Sequence, residues 1–98
     1  MGNKVALVTG SGKGIGRGIA IKLAQAGYDI GVHYGHSRDG ALEVAQMIQA
    51  MGRKAILLQA NIQEVKEIED MYNKFFEEFD HIDVLVNNAG VTRMAPFL

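Results

Sequence analysis

Hydrophobic and polar positions along this chain switch between two periods. Lys4-Val5-Ala6-Leu7-Val8-Thr9 is a short apolar, partly β-branched run that ends on glycine. A run of that length without polar alternation suits a strand covered on both faces. From Ile15 the spacing becomes helical, through Ile19, Leu23 and Ala26, with Gly27 placed as a C-terminal cap. Ile30–Tyr34 predicts a second strand, and Tyr28-Asp29 before it reads as an exposed pair. Ser37 is positioned to cap a helix whose inward face is Ala41, Val44, Ala45, Ile48 and Met51, stopped at Gly52. Ala55–Leu58 is a third strand. Asn61-x-x-Glu64 has the spacing of a capping box, and the helix it opens buries Val65, Ile68, Tyr72, Phe75, Phe76 and Phe79. Ile82–Val86 is a fourth strand, and Asn87-Asn88-Ala89-Gly90 leaves it as a loop.

Strands and helices therefore alternate, with short connections, which predicts an α/β fold with a parallel sheet. Right-handed crossovers reduce the arrangements to a Rossmann-like, doubly wound half-sheet in strand order 3-2-1-4. The first and fourth strands are then central, and the chain reverses its direction of travel across the sheet between them. Ligands of such sheets bind beyond the carboxyl ends of the strands at that reversal. Gly10–Gly16 and Asn87–Gly90 both fall there.

Composition changes this picture only at the margins. A net charge of −1 supplies no basic face, which argues against nucleic acid and anionic membrane as partners. The chain has no cysteine, so disulfides and thiolate metal sites are excluded. The apolar runs are strand-length, well short of the roughly 20 residues of a membrane helix. With a strand beginning at Lys4, the expectation is a cytoplasmic protein without a signal peptide. His33 and His81 stand alone, without metal-ligand spacing. Asp83, opening the fourth strand, reads as a structural hydrogen-bonding residue.

Glycine is the exception. Five of the twelve glycines, Gly10, Gly12, Gly14, Gly16 and Gly18, alternate within nine positions that run from the end of the first strand into the first helix. A diphosphate at a helix N-terminus is held by free N–H groups and the positive end of the helix dipole, and side chains would hold it off. A P-loop is excluded because Gly14, not Ser or Thr, follows Lys13. The G-x-G-x-x-G fingerprint has no frame either, since Ile15, Arg17 or Ile19 falls on its last glycine. The segment Gly10-Ser11-Gly12-Lys13-Gly14-Ile15-Gly16 is the candidate phosphate loop.

Thr9, Gly10, Gly14 and Gly16 fit T-G-x-x-x-G-x-G, and Asn87-Asn88-Ala89-Gly90 lies at the matching distance. On these two motifs the chain resembles the classical short-chain dehydrogenase/reductases. The resemblance implies hydride transfer between a nicotinamide and a carbonyl or alcohol substrate, in a homo-oligomer. It also implies that Asn88, Ala89 and Gly90 line the cofactor ribose, while Asn87 ties neighbouring strands. Asn61-Ile62 stands where the family has Asp-Val, placing Asn61 against adenine, a role that competes with capping. In NAD users an acidic residue ends the second strand. Here that position is Tyr34, followed by Gly35, His36, Ser37 and Arg38, with no carboxylate to repel a 2′-phosphate. With Lys13 beside the loop, NADP(H) is favoured, and NAD(H) is the alternative.

The family's general acid or base is a tyrosine with a lysine four residues on, assisted by a serine. Tyr28, Tyr34 and Tyr72 lack such a lysine, and residues 91–98 contain neither tyrosine nor lysine. The expectation is that residues 1–98 are one dinucleotide-binding half-domain, truncated before the catalytic segment and inactive alone. A non-catalytic dinucleotide-sensing module is the second reading. Among members of the family the chain looks most like 3-oxoacyl-acyl-carrier-protein reductases.

Overall fold

The computed structural model describes residues 3–88. The elements are β1 (Lys4–Val8), α1 (Gly14–Gln25), β2 (Tyr28–Tyr34), α2 (Arg38–Ala50), β3 (Ala55–Gln59), α3 (Val65–Glu78) and β4 (Val84–Val86). Every strand pairing is parallel, and the order is β3-β2-β1-β4, as the crossover rule requires.

The side chains of β1 divide between two cores. Ala6 and Val8 join Ile30, Val32, Ala20, Ala24, Ala41, Val44 and Ile48 on the face covered by α1 and α2. Val5 and Leu7 join Leu58, Met71, Phe75 and Phe79 on the α3 face. Each successive residue of a strand points to the opposite face, so an apolar run without alternation is what a twice-covered strand needs.

Several local expectations are corrected. α1 packs through its small residues Gly16, Ala20 and Ala24, not through the large apolar stripe; Ile15 is 74% exposed and Ala26 is exposed. Small residues let a helix axis approach the sheet closely, while Ile19 and Leu23 fill the flanks. α3 shows the same displacement. Met71, Phe75 and Phe79 point inward at intervals of four, whereas Val65 and Phe76 are 71% and 49% exposed. Tyr28 and Asp29 are not an exposed pair. They begin β2, and the Asp29 carboxylate accepts from Lys54 N at 2.9 Å and from the Asn3 amide.

Neither expected side-chain cap forms. Ser37 occupies the N-cap of α2, but only its carbonyl is used, by Ala41 N. The Asn61–Glu64 box is replaced by a turn before α3. Asn61 Oδ1 accepts from Gln63 N, and Asn61 N donates to the Glu67 carboxylate at 2.8 Å. The reciprocal acid thus comes from the helix's first turn, one position past Lys66, because α3 starts only at Val65. β4 is shorter than expected, but Asp83 does anchor its start: its Oδ2 accepts from Val5 N and its N–H donates to Val5 O.

Candidate functional site

The loop from Thr9 to Lys13 leaves β1 at the carboxyl end of the sheet and turns into α1. Gly10 and Gly14 both have positive φ, 63° and 61°, which an L side chain disfavours by about 1–2 kcal/mol. Gly16 serves packing instead. A Cβ there would lie 2.1 Å from Gly10 O and 2.7 Å from Asn88 Nδ2, so the first turn of α1 rests directly on the loop it follows.

Two strand exits clamp that loop. From β4, Asn88 N donates to Thr9 Oγ1 at 2.9 Å and Asn88 Nδ2 donates to Gly10 O at 3.3 Å. Among the described residues the tie expected of Asn87 therefore runs through Asn88, and Asn87 is exposed. From β2, His33 Nδ1 accepts from Gly10 N at 2.9 Å, and His33 O accepts from both Ser11 N and Ser11 Oγ. His33 Nε2 lies 2.9 Å from Ala60 O. The ring is 1% exposed, and burial pushes its pKa below the ordinary imidazole value, partly offset by the Ala60 hydrogen bond.

The consequence is a division within the loop. Ser11 was expected to face a ligand, but it is wholly buried and its N–H and hydroxyl are spent on His33 and Val8. The Gly10 amide is likewise spent. The N–H groups of Gly12, Lys13, Gly14, Ile15 and Gly16 have no partner among the described residues, as befits a helix start left open. The first turn of α1 has no acidic residue to neutralise its positive end.

Lys13, Tyr34, His36 and Ser37 come together. With Gly10, Gly12 and Gly35 they line a cleft of about 220 Å³ beside the loop. Asn61 and Ile62 are half-buried at the exit of β3 and do not line that cleft. Ala89 and Gly90 lie outside the described residues. Larger hollows, each about 430 Å³, open along β3 and at the amino end of the sheet. Neither touches the loop or its open amides, so size alone is a poor guide to the site here. His33 was not among the expected site residues. Its signal in the sequence was a polar side chain one residue before the end of a largely apolar strand.

Unpartnered amides at a helix N-terminus, at the switch point of a parallel sheet, are the arrangement expected of an α/β fold of the dinucleotide-binding class. A family model described as short chain dehydrogenase matches residues 4–98. The chain belongs to that family. It is 45% identical over 91 residues to the 3-oxoacyl-acyl-carrier-protein reductase of Staphylococcus epidermidis, covering 93% of this chain and 37% of that one. It is 43% identical over 96 residues to the hydroxynaphthalene reductase arp2 of Aspergillus fumigatus, covering 98% and 35% respectively. Among solved structures it is similar to a landomycin C-6 ketoreductase with bound NADP and rabelomycin, with a TM-score of 0.80 and 39% identity. That match covers 94% of this chain and 40% of the other. The chain thus spans little more than a third of the length of these relatives. Among the described residues no helix is long and apolar enough to cross a membrane, and no cluster of three or more His, Cys, Asp or Glu could hold a metal.

Proposed function

We propose that this chain is the cofactor-holding part of an NADP(H)-dependent reductase that interconverts a carbonyl and an alcohol. The observation that carries the reading is the set of unspent amides at residues 12–16, beside a cleft that includes Lys13 and no carboxylate. These amides would hold the diphosphate, with Gly14 and Gly16 keeping side chains away from it. Lys13, His36 and Ser37, with Tyr34 as a wall, would take the 2′-phosphate, and Asn61 and Ile62 would border the adenine. Asn88, with Ala89 and Gly90 beyond it, would line the ribose next to the nicotinamide. The bound nicotinamide supplies the hydride, and this chain's part is to orient it. The catalytic tyrosine, lysine and serine would come from a segment beyond this chain, and residues 1–98 would bind without turnover.

The two curated relatives described above are reductases, and a 3-oxoacyl thioester is the substrate class we propose for the whole protein, acting as a homo-oligomer. Fluorescence titration of the chain with NADPH and NADH tests the cofactor assignment. Tighter binding of NADPH is expected, and Lys13→Glu should cost NADPH about tenfold more than NADH, one lost charged contact. Equal losses for the two cofactors would remove Lys13 from the 2′-phosphate site.

A further inference from the structure

His33 touches both the phosphate loop and the exit of β3. A backbone N–H can only donate and a carbonyl can only accept. The Gly10 amide therefore requires a lone pair on Nδ1, and the Ala60 carbonyl requires the proton on Nε2. Both ring nitrogens are committed, and the tautomer follows from the partners alone. Gly10 is the left-handed corner of the phosphate loop, and Ala60 directly precedes Asn61 at the exit of β3. One imidazole thus joins the phosphate loop to the exit of β3 that leads into Asn61. The backbone of the same residue holds Ser11 through two further contacts. A second proton on the ring, which is only 1% exposed, would set an N–H against the Gly10 N–H.

We propose that His33 is a positioning residue for the cofactor: its neutral ring, protonated on Nε2, fixes Gly10 and with it the loop that leads into the unpartnered amides of residues 12–16. Cofactor affinity is lost when the ring takes a second proton. The inference rests on the dinucleotide reading above and names the residue that makes the loop competent.

The ionisable groups on the surrounding elements are Lys13 and His36 at the cleft, Arg17 on α1, Arg38 and Asp39 on α2, and Glu64 and Glu67 at the start of α3. None of them is bonded to the ring, whose two partners are both backbone groups. The displacement of its pKa comes from burial, and its direction keeps the ring neutral at physiological pH.

The test uses ADP-ribose, whose diphosphate keeps its charge through the range in which imidazole titrates. Calorimetric titration of the native chain from about pH 8 down to the lowest pH at which it stays folded should show affinity falling, by about tenfold once the ring is protonated, the cost of one buried donor left unpaired. His33→Asn places an amide oxygen where Nδ1 was and cannot be protonated. It should bind within about threefold of the native chain at high pH, with less than about twofold change on acidification. His33→Leu should be about tenfold weaker throughout. A His33→Asn profile that follows the native one overturns the proposal. Absence of ADP-ribose binding at high pH overturns the dinucleotide reading alone, and magnetic resonance then decides the fate of His33. A neutral Nε2-protonated ring, with a Gly10 amide that loses exchange protection on acidification, supports it. A ring protonated on Nδ1, or a Gly10 amide indifferent to that titration, sinks it.

Discussion

The two ends of the sheet solve the same problem in opposite ways. Parallel strands begin and end with backbone groups that the ladder cannot satisfy. At the amino end, carboxylates close the account: Asp83 takes the N–H of Val5 at 2.7 Å, and Asp29 takes that of Lys54 at 2.9 Å. His81 then bridges Asp80 and Asp83. At the carboxyl end the polar groups inside the loop are matched just as closely, through His33, Ser11 and Asn88, but the next five amides are left open. One end uses its charges to hold strands together. The other holds a loop still and leaves the donors that follow it without partners among the described residues.

If that division is real, substitutions at the two ends should separate affinity from stability. The largest effect is expected at Gly16, where the first turn of α1 rests on the loop and on Asn88. Gly16→Ala puts a methyl group 2.1 Å from Gly10 O, and α1 must move off the loop. We expect a loss of about 1–3 kcal/mol in stability, as for other overpacked contacts. Dinucleotide binding should disappear with it, because the amides of the first turn move too. Urea unfolding together with NADPH titration measures both, and native affinity in a folded Gly16→Ala chain would refute the packing role.

Asp83→Ala is the counterpart at the other end. It strands the Val5 N–H and removes one partner of His81, in a setting open enough to water that about 1 kcal/mol is expected. NADPH affinity should stay within about twofold of the native value. A selective loss of affinity at native stability would erase the distinction between the two ends.

The sequence made the fold legible because each strand carries its own burial pattern and each crossover has one allowed hand. Val5, Ala6, Leu7 and Val8 announce two covered faces, and the strand order follows. What it concealed was close approach. Ile15 and Phe76 look like core because they are large and on phase, yet the helices meet the sheet through Gly16, Ala20, Ala24 and Phe75. The phosphate loop was legible because only glycine serves there. Its inner supports were not. Ser11 looked like a ligand contact and His33 like an isolated core residue, because the bonds that assign them span 22 and 23 positions of the chain. Asn61 was misplaced as a cap for a related reason: the helix start depends on Glu67 reaching back, and only the folded turn shows that.

The smallest predicted effect is also the one in which the two ends oppose each other. Burial lowers the pKa of His33, so below about pH 6.5, the ordinary imidazole value, the unfolded chain takes a proton that the folded one refuses. Its contribution is complete above that pH and declines as pH falls toward the depressed folded value. His81 behaves in the reverse sense. The hydrogen bond that its ring donates to Asp80 comes first among the influences that raise its pKa, so its contribution is complete below about pH 6.5 and is lost as pH rises through the raised folded value. Because His81 and Asp80 lie at the surface, salt should screen that pair, while the buried ring is indifferent to it. Urea midpoints across pH should therefore show an acid limb that His33→Asn flattens at any ionic strength. They should also show a shallower limb on the alkaline side that either His81→Ala or about 0.5 M salt removes. If salt instead abolished the acid limb, that limb would belong to surface charges, and the buried imidazole would have no part in it.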